Sequence, residues 1–494
     1  MLNGNAMRRR TLSYKTLFKG QILIQTLILT ALAGVFITVL TNLGLSTLST
    51  VTLSTASEQA FQIAEAGVEY YRWHLAHAPQ DFQNGTGLPG PYVIPYKDRD
   101  SIIIGSFTLD ITPPPVGSTV VTIRSTGKVN VNPAVVRKVE VKLGVPSWAK
   151  YSVVANANMN FGPGTEVFGP IHSNGGIRFD GVAYNIGSSG VSQYNDPDHS
   201  GQDEFGVHTH VSPIDPLPPA AVPDRPDVFK TGRQFPVPAI DFTGVTATLA
   251  SLKAQAQASG NYFAPSGGKG YELVFRPDDT VSVYKVTSLK PKPGGCSSEV
   301  SDNDWGIWSI QATSTVGTYP IPSDGVFFFE DDVWVSGSVN TARATVAVGR
   351  FPENPSSQAS ITFNSDITYA AYDGSNSLGF IAQNDINVGL YSKDFLRIDG
   401  ALIAKNGRVG RFYYRKSSGP QDFCGPEALR NTITLYGMIG TNERYGFSWS
   451  CSGVYCSGYQ NRQITYDPNL LYSPPPGFPL TSSQYEVISW KEVK

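Results

Sequence analysis

The stretch that most constrains this chain is residues 21–40, twenty residues without a charged side chain. A helix rises about 1.5 Å per residue, so this stretch covers roughly 30 Å, the apolar thickness of a bilayer. The five basic residues of segment 8–19 lie upstream, and no Asp or Glu precedes Glu58. This asymmetry predicts a single membrane-spanning helix whose N-terminus stays in the cytoplasm.

The helical pattern continues beyond the apolar stretch. Residues 43–78 contain no Pro, and Phe61, Ala64, Val68, Tyr71 and Leu75 recur at steps of three and four. Such spacing places these side chains on one face of a helix, and Pro79 is a natural stop. We therefore predict one long helix over residues 21–78, apolar in its first half and amphipathic in its second.

A short basic leader (residues 1–20), Gly20, an uncharged span and an amphipathic continuation together resemble the N-terminus of type IV pilins. Segment 58–69, EQAFQIAEAGVE, resembles a stretch of PilX-type minor pilins and contains Glu58, Glu65 and Glu69. The resemblance covers residues 1–80. It implies cleavage between Gly20 and Gln21 by a prepilin peptidase, and packing of the helix against other pilins.

One position departs from the pilin pattern. Most pilins carry Glu at the fifth mature position, where it pairs with the N-terminal amine of a neighbouring subunit, and this chain has Gln25. The departure disfavours a major shaft subunit and leaves a minor or tip role open. Two alternatives remain: an ordinary signal anchor, or a secretory signal cut near Ala33.

The composition favours an exported β-rich protein. Charged residues make up 16% of the chain, against about 25% in typical soluble domains, whereas Gly (49) and Pro (35) are abundant. The net charge of −2 provides no basic surface for nucleic acid, so we predict no such partner.

Two β regions follow the helix. Residues 106–112, 118–124 and 135–143 alternate with period two, which predicts a small β-meander head over residues 79–149, docked on the helix. The motif Ile-x-x-Asn begins at Ile171, Ile381, Ile403 and Ile439, and the 22-residue step from 381 to 403 is typical of a parallel β-helix. Asn suits the corners because it tolerates left-handed backbone and stacks on the Asn of the next coil.

We therefore predict a mainly β fold with one long N-terminal α-helix. The head is followed by a right-handed parallel β-helix or solenoid over residues 150–480. An α+β segment, residues 191–320, is inserted into it, with a helix at 245–259 and a hairpin at 271–286. A β-sandwich is the alternative.

The four cysteines, Cys296, Cys424, Cys451 and Cys456, form an even set, which in an exported chain permits disulfides. Three connectivities are possible. A local bridge between Cys451 and Cys456 is plausible because they are five residues apart. No His lies near a Cys in the sequence, so a cysteine metal site is not expected.

Residues 196–201 match the first half of a calcium loop, with candidate ligands Asp196, Asp198, Ser200 and Glu204. Val207 stands where the bidentate Glu of such a loop belongs, so a solvated acidic loop is the interpretation that we prefer.

A second metal possibility is zinc at His208 and His210. These residues would place both imidazoles on one strand face, near Asp203 and Glu204. We predict neither a metal nor a cofactor.

Catalytic motifs are absent from the sequence. There is no Gly-x-Ser-x-Gly elbow, and Glu330, Asp331, Asp332, Asp366 and Asp385 each precede a strand, which a turn explains without catalysis. We predict a non-enzymatic minor pilin-like subunit of a type IV pilus or related filament, acting in assembly, priming or adhesion, and located at the tip. It would be a single-pass protein of the cytoplasmic or inner membrane, exposed at the cell surface after assembly.

The alternative function is that of a membrane-anchored β-helix that binds or cleaves carbohydrate at the cell surface. Five aromatic residues are candidates for sugar contact or for the core: Tyr413, Tyr414, Tyr445, Trp449 and Tyr455.

Overall fold

The computed structural model describes residues 17–115, 117–197, 201–294, 296–298, 309–415, 424–451, 454–481 and 484–493. The fold is mainly β, with one long N-terminal helix, α1 (Leu17–His77), and a second helix, α2 (Gly244–Ser259). Three short 3-10 helices lie at Trp148–Lys150, Pro426–Ala428 and Pro468–Leu471. The predicted long helix is confirmed; it ends at His77, two residues before Pro79.

The head is a five-stranded antiparallel sheet. Its strands, in spatial order, are Tyr92–Lys97, Ile103–Thr112, Val121–Val129, Val136–Gly144 and Glu486–Val493. The middle three correspond to the predicted meander. The first was missed because Pro95 and the surrounding Gly and Pro indicate a loop; at the edge of a sheet, however, a Pro is tolerated.

The fifth strand of the head comes from the C-terminal end of the described chain. Glu486–Val493 pairs antiparallel with Val136–Gly144, with Trp490 opposite Val141. The domain between these two strands, which we call the ladder domain, is therefore inserted into the head. Ser147 Oγ donates to the carbonyl of Leu470 at 2.8 Å where the two connecting segments pass each other.

The ladder domain consists largely of stacked parallel strands in three ladders. The first ladder contains, in spatial order, Tyr262–Phe263, Val326–Phe329, Arg343–Val348, Ser377–Ala382, Phe395–Ala404, Leu429–Thr441, Val153–Ala155, Ile171–Ser173, Gly187–Ser189 and Arg233–Gln234. The second contains Gly270–Phe275, Val333–Val339, Ile361–Thr362, Ile386–Val388 and Val409–Arg411. The third ladder contains Ile367–Tyr369, Val454–Tyr466, Thr165–Phe168 and Val182–Ala183, together with parts of longer strands that also belong to the first two ladders.

The remaining strands lie beside these ladders. They are Thr280–Leu289, Ile310–Pro320 and Ser448–Cys451, which pair antiparallel with ladder strands or each other; the parallel trio Met159–Phe161, Ile177–Phe179 and Val207–His208; and the antiparallel pairs Gln193–Tyr194 with Glu204–Phe205 and Ser297–Ser298 with Tyr414–Arg415.

The Ile-x-x-Asn repeat marks corresponding positions in the first ladder. Ile381 lies directly opposite Ile403, so a step of 22 residues leads from one strand of the ladder to the matching position on the adjacent strand. Ile439 and Ile171 both lie opposite Val153, one on each side. The segment that precedes the insertion therefore stacks on the end of the segment that follows it, an order that no local pattern in the sequence indicates.

The predicted stacking of corner asparagines is present at one corner. Asn174 Nδ2 donates to Asn156 Oδ1 at 2.8 Å, and Asn156 Nδ2 donates to Asn442 Oδ1 at 3.0 Å. The three Asn side chains thus form a chain of hydrogen bonds from one strand to the next.

Helix α2 and the hairpin at 271–286 are both present as predicted, but they pack in different places. The face of α2 formed by Leu249, Leu252 and Ala256 is buried against the outside of the first ladder. The first hairpin strand, Gly270–Phe275, pairs in parallel with Val333–Val339, so it continues the second ladder instead of interrupting it. Hydrophobic side chains between the three ladders form the largest core cluster.

Candidate functional site

The first half of α1 presents an apolar surface along its length. Every described side chain from 21 to 55 is exposed, including Leu23 at 66% and Leu29 at 70%. Most hydroxyls of this half bond back to the helix, as when Thr38 Oγ1 donates to the carbonyl of Gly34 at 2.8 Å. Because these hydroxyls are satisfied internally, a hydrocarbon environment leaves them no unmet hydrogen bond.

Among the described residues, this is the one helix long and apolar enough to cross a membrane. Gly20 and Gln21 lie in the first turns of α1, and Gln25 lies on its exposed surface. Most of the leader, residues 1–16, lies outside the described residues, and cleavage after Gly20 stays a prediction.

The second half of α1 docks on the head sheet through the predicted face. Ala64, Val68, Tyr71 and Leu75 are buried against the sheet, whereas Phe61 lies at its rim. Phe61 contacts Trp490 of the last strand edge to face, with 5.9 Å between ring centroids. The C-terminal strand therefore contributes directly to holding the helix.

Two glycines set how closely helix and sheet approach. A Cβ at Gly127 in the sheet would lie 2.0 Å from the carbonyl oxygen of Ala60 and 2.5 Å from the backbone nitrogen of Ala64. A Cβ at Gly67 in the helix would lie 2.3 Å from Ser125 Oγ and 2.8 Å from the ring of Phe107. Glycine at both positions lets the helix backbone rest on the sheet.

The three glutamates of the PilX-like segment point away from this core. Glu58 and Glu69 are exposed and Glu65 is half-buried; Glu69 pairs with Arg72 at 2.7 Å. These carboxylates therefore do not hold the head to the helix.

An ionic cluster ties the edge of the head together. Glu140 is buried and accepts from Lys491 at 2.8 Å and from Arg124 at 2.6 Å; these two hydrogen bonds lower the pKa of its carboxyl group to about 2. Arg137 donates to Ser57 Oγ of α1 at 2.7 Å and pairs with Glu492. Both contacts to the last strand, through Lys491 and Glu492, add to its apolar packing.

Two carboxylates of the acidic segment expected to be solvated are buried instead. Asp196 and Glu204 are buried and lie beside His208 and His210, and one ligating atom from each residue falls within 4.8 Å of the others. The expected pairing of the two imidazoles on one side is present, with ring centroids 5.1 Å apart. The carboxylate that joins Glu204 is Asp196; Asp198 and Ser200 lie outside the described residues.

The strand-preceding carboxylates bind backbone and cations at the corners. Asp385 Oδ1 accepts from the backbone N–H of Arg408 at 2.8 Å, and Asp366 Oδ1 from that of Arg397 at 2.9 Å. Asp331 and Asp332 share Arg350, at 2.6 and 2.9 Å. Glu330 accepts from Lys253 and Tyr262. Each carboxylate thus has a structural partner.

The cysteines form two disulfides, Cys296–Cys424 and Cys451–Cys456, which selects one of the three connectivities. The first joins segments 128 residues apart, and the second closes the local turn. Of the aromatic candidates, Tyr414 and Tyr445 are buried, whereas Tyr413, Trp449 and Tyr455 are half-buried.

Comparison with known proteins gives little to add. No protein-family model and no curated protein matches the chain. Among solved structures, the competence-associated pilin ComZ from Thermus thermophilus is similar over 89% of this chain and 98% of ComZ, with 13% sequence identity and a TM-score of 0.28.

Proposed function

We propose that this chain is a membrane-anchored, PilX-like minor subunit of a type IV pilus or related filament. The observation that carries the proposal is α1: one continuous helix whose apolar half is exposed and whose amphipathic half is docked on an antiparallel head sheet. An isolated apolar helix of this size is unstable in water, so its exposed half requires lipid or other apolar helices. A bundle of such helices in a filament core meets that requirement.

In this proposal, the basic leader stays in the cytoplasm, and the head and ladder domain lie outside the membrane. A prepilin peptidase cuts between Gly20 and Gln21. The helix then moves from the bilayer into contact with the helices of other pilins.

We assign the subunit to the filament tip, where it would act in assembly, priming or adhesion. Two features support this position. The ladder domain is much larger than the head, so copies packed at every position of a shaft would collide. Gln25 also stands where most pilins have a carboxylate that pairs with the amine of a neighbouring subunit. A subunit at the end of the row lacks that neighbour, and a buried carboxylate without its partner would be costly, so an uncharged Gln suits this position.

We further propose that the three parallel ladders are the faces of one right-handed β-helix that works as a rigid, non-catalytic spacer or adhesive body. The ladder registers and the asparagine corner support this interpretation.

Processing is the first test. We expect the mature protein from membranes to begin at Gln21, and Gly20→Ala to abolish the cut. Gly34→Ala is the matched control, since a Cβ there meets nothing within 4 Å. N-terminal mass spectrometry measures both. An intact N-terminus in the unsubstituted protein, or a terminus near Ala33, would refute the pilin-like proposal.

Position in the filament is the second test. Immunogold labelling of sheared filaments should place particles at filament ends. Labelling along the whole shaft would reject the tip assignment. Processed protein that never leaves the membrane would instead support a plain anchored surface protein.

One observation favours the second candidate function, carbohydrate binding by an anchored surface protein. A cleft of about 310 Å³ is lined by Trp449 and Tyr455 together with Arg408, Arg444 and Arg462. Aromatic faces and guanidinium groups suit an acidic polysaccharide. Trp449→Ala should weaken retention on such a polysaccharide at least tenfold, whereas Trp73→Ala on α1 should not. Equal retention of both variants would exclude the cleft as the binding site.

A further inference from the structure

The cluster of Asp196, Glu204, His208 and His210 lies on the outer face of a small parallel sheet. Its strands alternate, so Ile177 and Val207 are buried in the core while Arg178 and His208, directly opposite each other, face outward. A short hairpin covers this face and pairs Gln193–Tyr194 with Glu204–Phe205. The second strand of the hairpin brings Glu204 onto the imidazoles, and the connection between its strands brings Asp196.

The four side chains converge tightly and are shielded from water. Asp196 is 3% exposed, Glu204 5% and His208 1%, and the His210 side chain is 12% exposed. His210 Nε2 lies 2.7 Å from Glu204 Oε1, and His208 Nε2 lies 3.8 Å from Asp196 Oδ2 and in contact with Glu204 Oε2.

His208 is held on one side by the backbone. Its Nδ1 lies 3.2 Å from the carbonyl oxygen of Phe205, which can only accept a hydrogen bond, so this nitrogen donates. Nε2 faces the carboxylates, and among the described residues no hydrogen bond is found for this buried atom. Metal-ligating histidines are usually oriented in this way, by donating the other ring N–H to a carbonyl or carboxylate.

Carboxylates and imidazoles alternate around the centre of the cluster. Arg178 contacts Asp180 at 2.7 Å and Asp196 at 3.4 Å, which positions the Asp196 carboxylate, while Glu204 lies against both imidazoles. One ligating atom from each of the four side chains falls within 4.8 Å of the others, as the ligands of a single ion must.

We propose that Asp196, Glu204, His208 and His210 bind one Zn²⁺ ion. Two imidazole nitrogens and two carboxylate oxygens form a set that zinc accepts in tetrahedral geometry, whereas calcium takes oxygen ligands. Four protein ligands fill that geometry, so the ion is structural. It fastens the 193–205 hairpin to the small sheet. The proposal is independent of the filament role.

The arrangement around the ligands fits this assignment. Asp180 holds Arg178 in place and accepts from the backbone N–H of His210 at 2.8 Å through Oδ1, which orients the segment that carries the second imidazole. Both cysteine pairs are disulfides, so thiolates do not compete for the ion.

The test uses the full chain in detergent, purified with a tag that contains no histidine and with its disulfides intact. After chelator treatment, calorimetric titration with Zn²⁺ should give one ion per chain. Co²⁺ should give the intense visible absorption of a tetrahedral site. His208→Gln should weaken Zn²⁺ binding by more than about 100-fold, because loss of an outer partner alone typically costs 10–100-fold. His172→Gln is the matched control: His172 is equally buried, but it bonds Ser188 and Asn174.

A second measurement guards against a folding defect in the variant. Hydrogen exchange of residues 193–205 should slow on Zn²⁺ addition in the unsubstituted protein and in H172Q, but not in H208Q, while α2 should stay equally protected in all three. Absence of Zn²⁺ binding by the unsubstituted protein would overturn the proposal. Equal Zn²⁺ affinity in H208Q, or tight Ca²⁺ binding with no effect of H208Q, would overturn it as well.

Discussion

Gly127→Ala tests how the head is held on the long helix. An added Cβ would lie 2.0 Å from the Ala60 carbonyl oxygen, whereas ordinary contact begins at 3.4 Å, so helix and sheet must separate by more than about 1 Å. The clashing atoms belong to the helix backbone, which has no rotamer to relieve the contact. A gap of roughly 0.5–1 Å already forfeits a quarter to a half of the dispersion attraction across an interface.

We expect this substitution to destabilise the docked state by about 3 kcal/mol, the upper end of the usual cost of overpacking. Gly67→Ala should cost less, because its nearest contact is the rotatable Ser125 hydroxyl and because Ala favours the helix by about 1 kcal/mol over Gly. Gly162→Ala in the ladder domain is the control, since a Cβ there meets nothing within 4 Å.

Hydrogen exchange with mass spectrometry is the suitable assay, because a multidomain chain lacks a single unfolding free energy. In Gly127→Ala, peptides from Ile103–Thr112 and Val121–Val129 should exchange roughly 100-fold faster, the equivalent of about 3 kcal/mol. The ladder domain should keep its protection. Unchanged head protection in this variant, or an equal loss in Gly162→Ala, would refute the argument that close backbone approach holds the head.

Three further predictions concern single side chains. Glu140→Gln should destabilise the edge of the head sheet by about 1 kcal/mol at neutral pH through loss of two ion pairs. Since the pKa of Glu140 in the folded protein is lowered to about 2, the stability difference from the unsubstituted protein should shrink as the pH falls from about 4.5 toward 2. Hydrogen exchange of Val136–Gly144 measures this difference, with Glu166→Gln as the control. Arg411→Lys should lower the stability of the surrounding ladder domain by at least about 2 kcal/mol, because the fully buried guanidinium donates to the carbonyls of Leu390, Glu427 and Ala428 and an ammonium group cannot reach all three. Limited proteolysis measures this loss, and protease resistance equal to that of the unsubstituted protein would contradict the prediction. Asn156→Ala should cost about 1 kcal/mol by breaking both links of the asparagine corner, seen as faster exchange at Val153–Ala155, whereas Asn185→Ala should leave that exchange unchanged.

Local patterns were sufficient for the elements that are determined locally. The three- and four-residue spacing from Ala64 to Leu75 identified the buried face of α1, and the same periodicity identified α2. The 22-residue step correctly paired Ile381 with Ile403. In each case, the information lies within one element or between adjacent turns of the chain.

Long-range pairing was beyond such patterns. The residues of the Val153 strand show no preference for Ile439 over any other apolar strand, so the stacking of the early segment on the late one could not be derived. The cluster proposed as a zinc site could be foreseen only in part for a related reason. Spacing along the chain suggested zinc at His208 and His210 near Glu204, a possibility that was set aside, and assigned Asp196 to a separate calcium loop. The hairpin brings Asp196 to the other three across the chain, which no local spacing indicates.

The C-terminal strand of the head has a consequence for the order in which the molecule is completed. Val136–Gly144 is synthesised early, yet its partner Glu486–Val493 emerges only after the whole ladder domain. Until then, this edge of the sheet has unpaired backbone groups and Phe61 lacks its contact with Trp490. A chain truncated before Glu486 keeps the whole of α1 but has an open sheet edge that can pair with another strand. Closure of the head therefore requires the chain through Val493, and an interruption anywhere in the ladder domain leaves this edge unpaired.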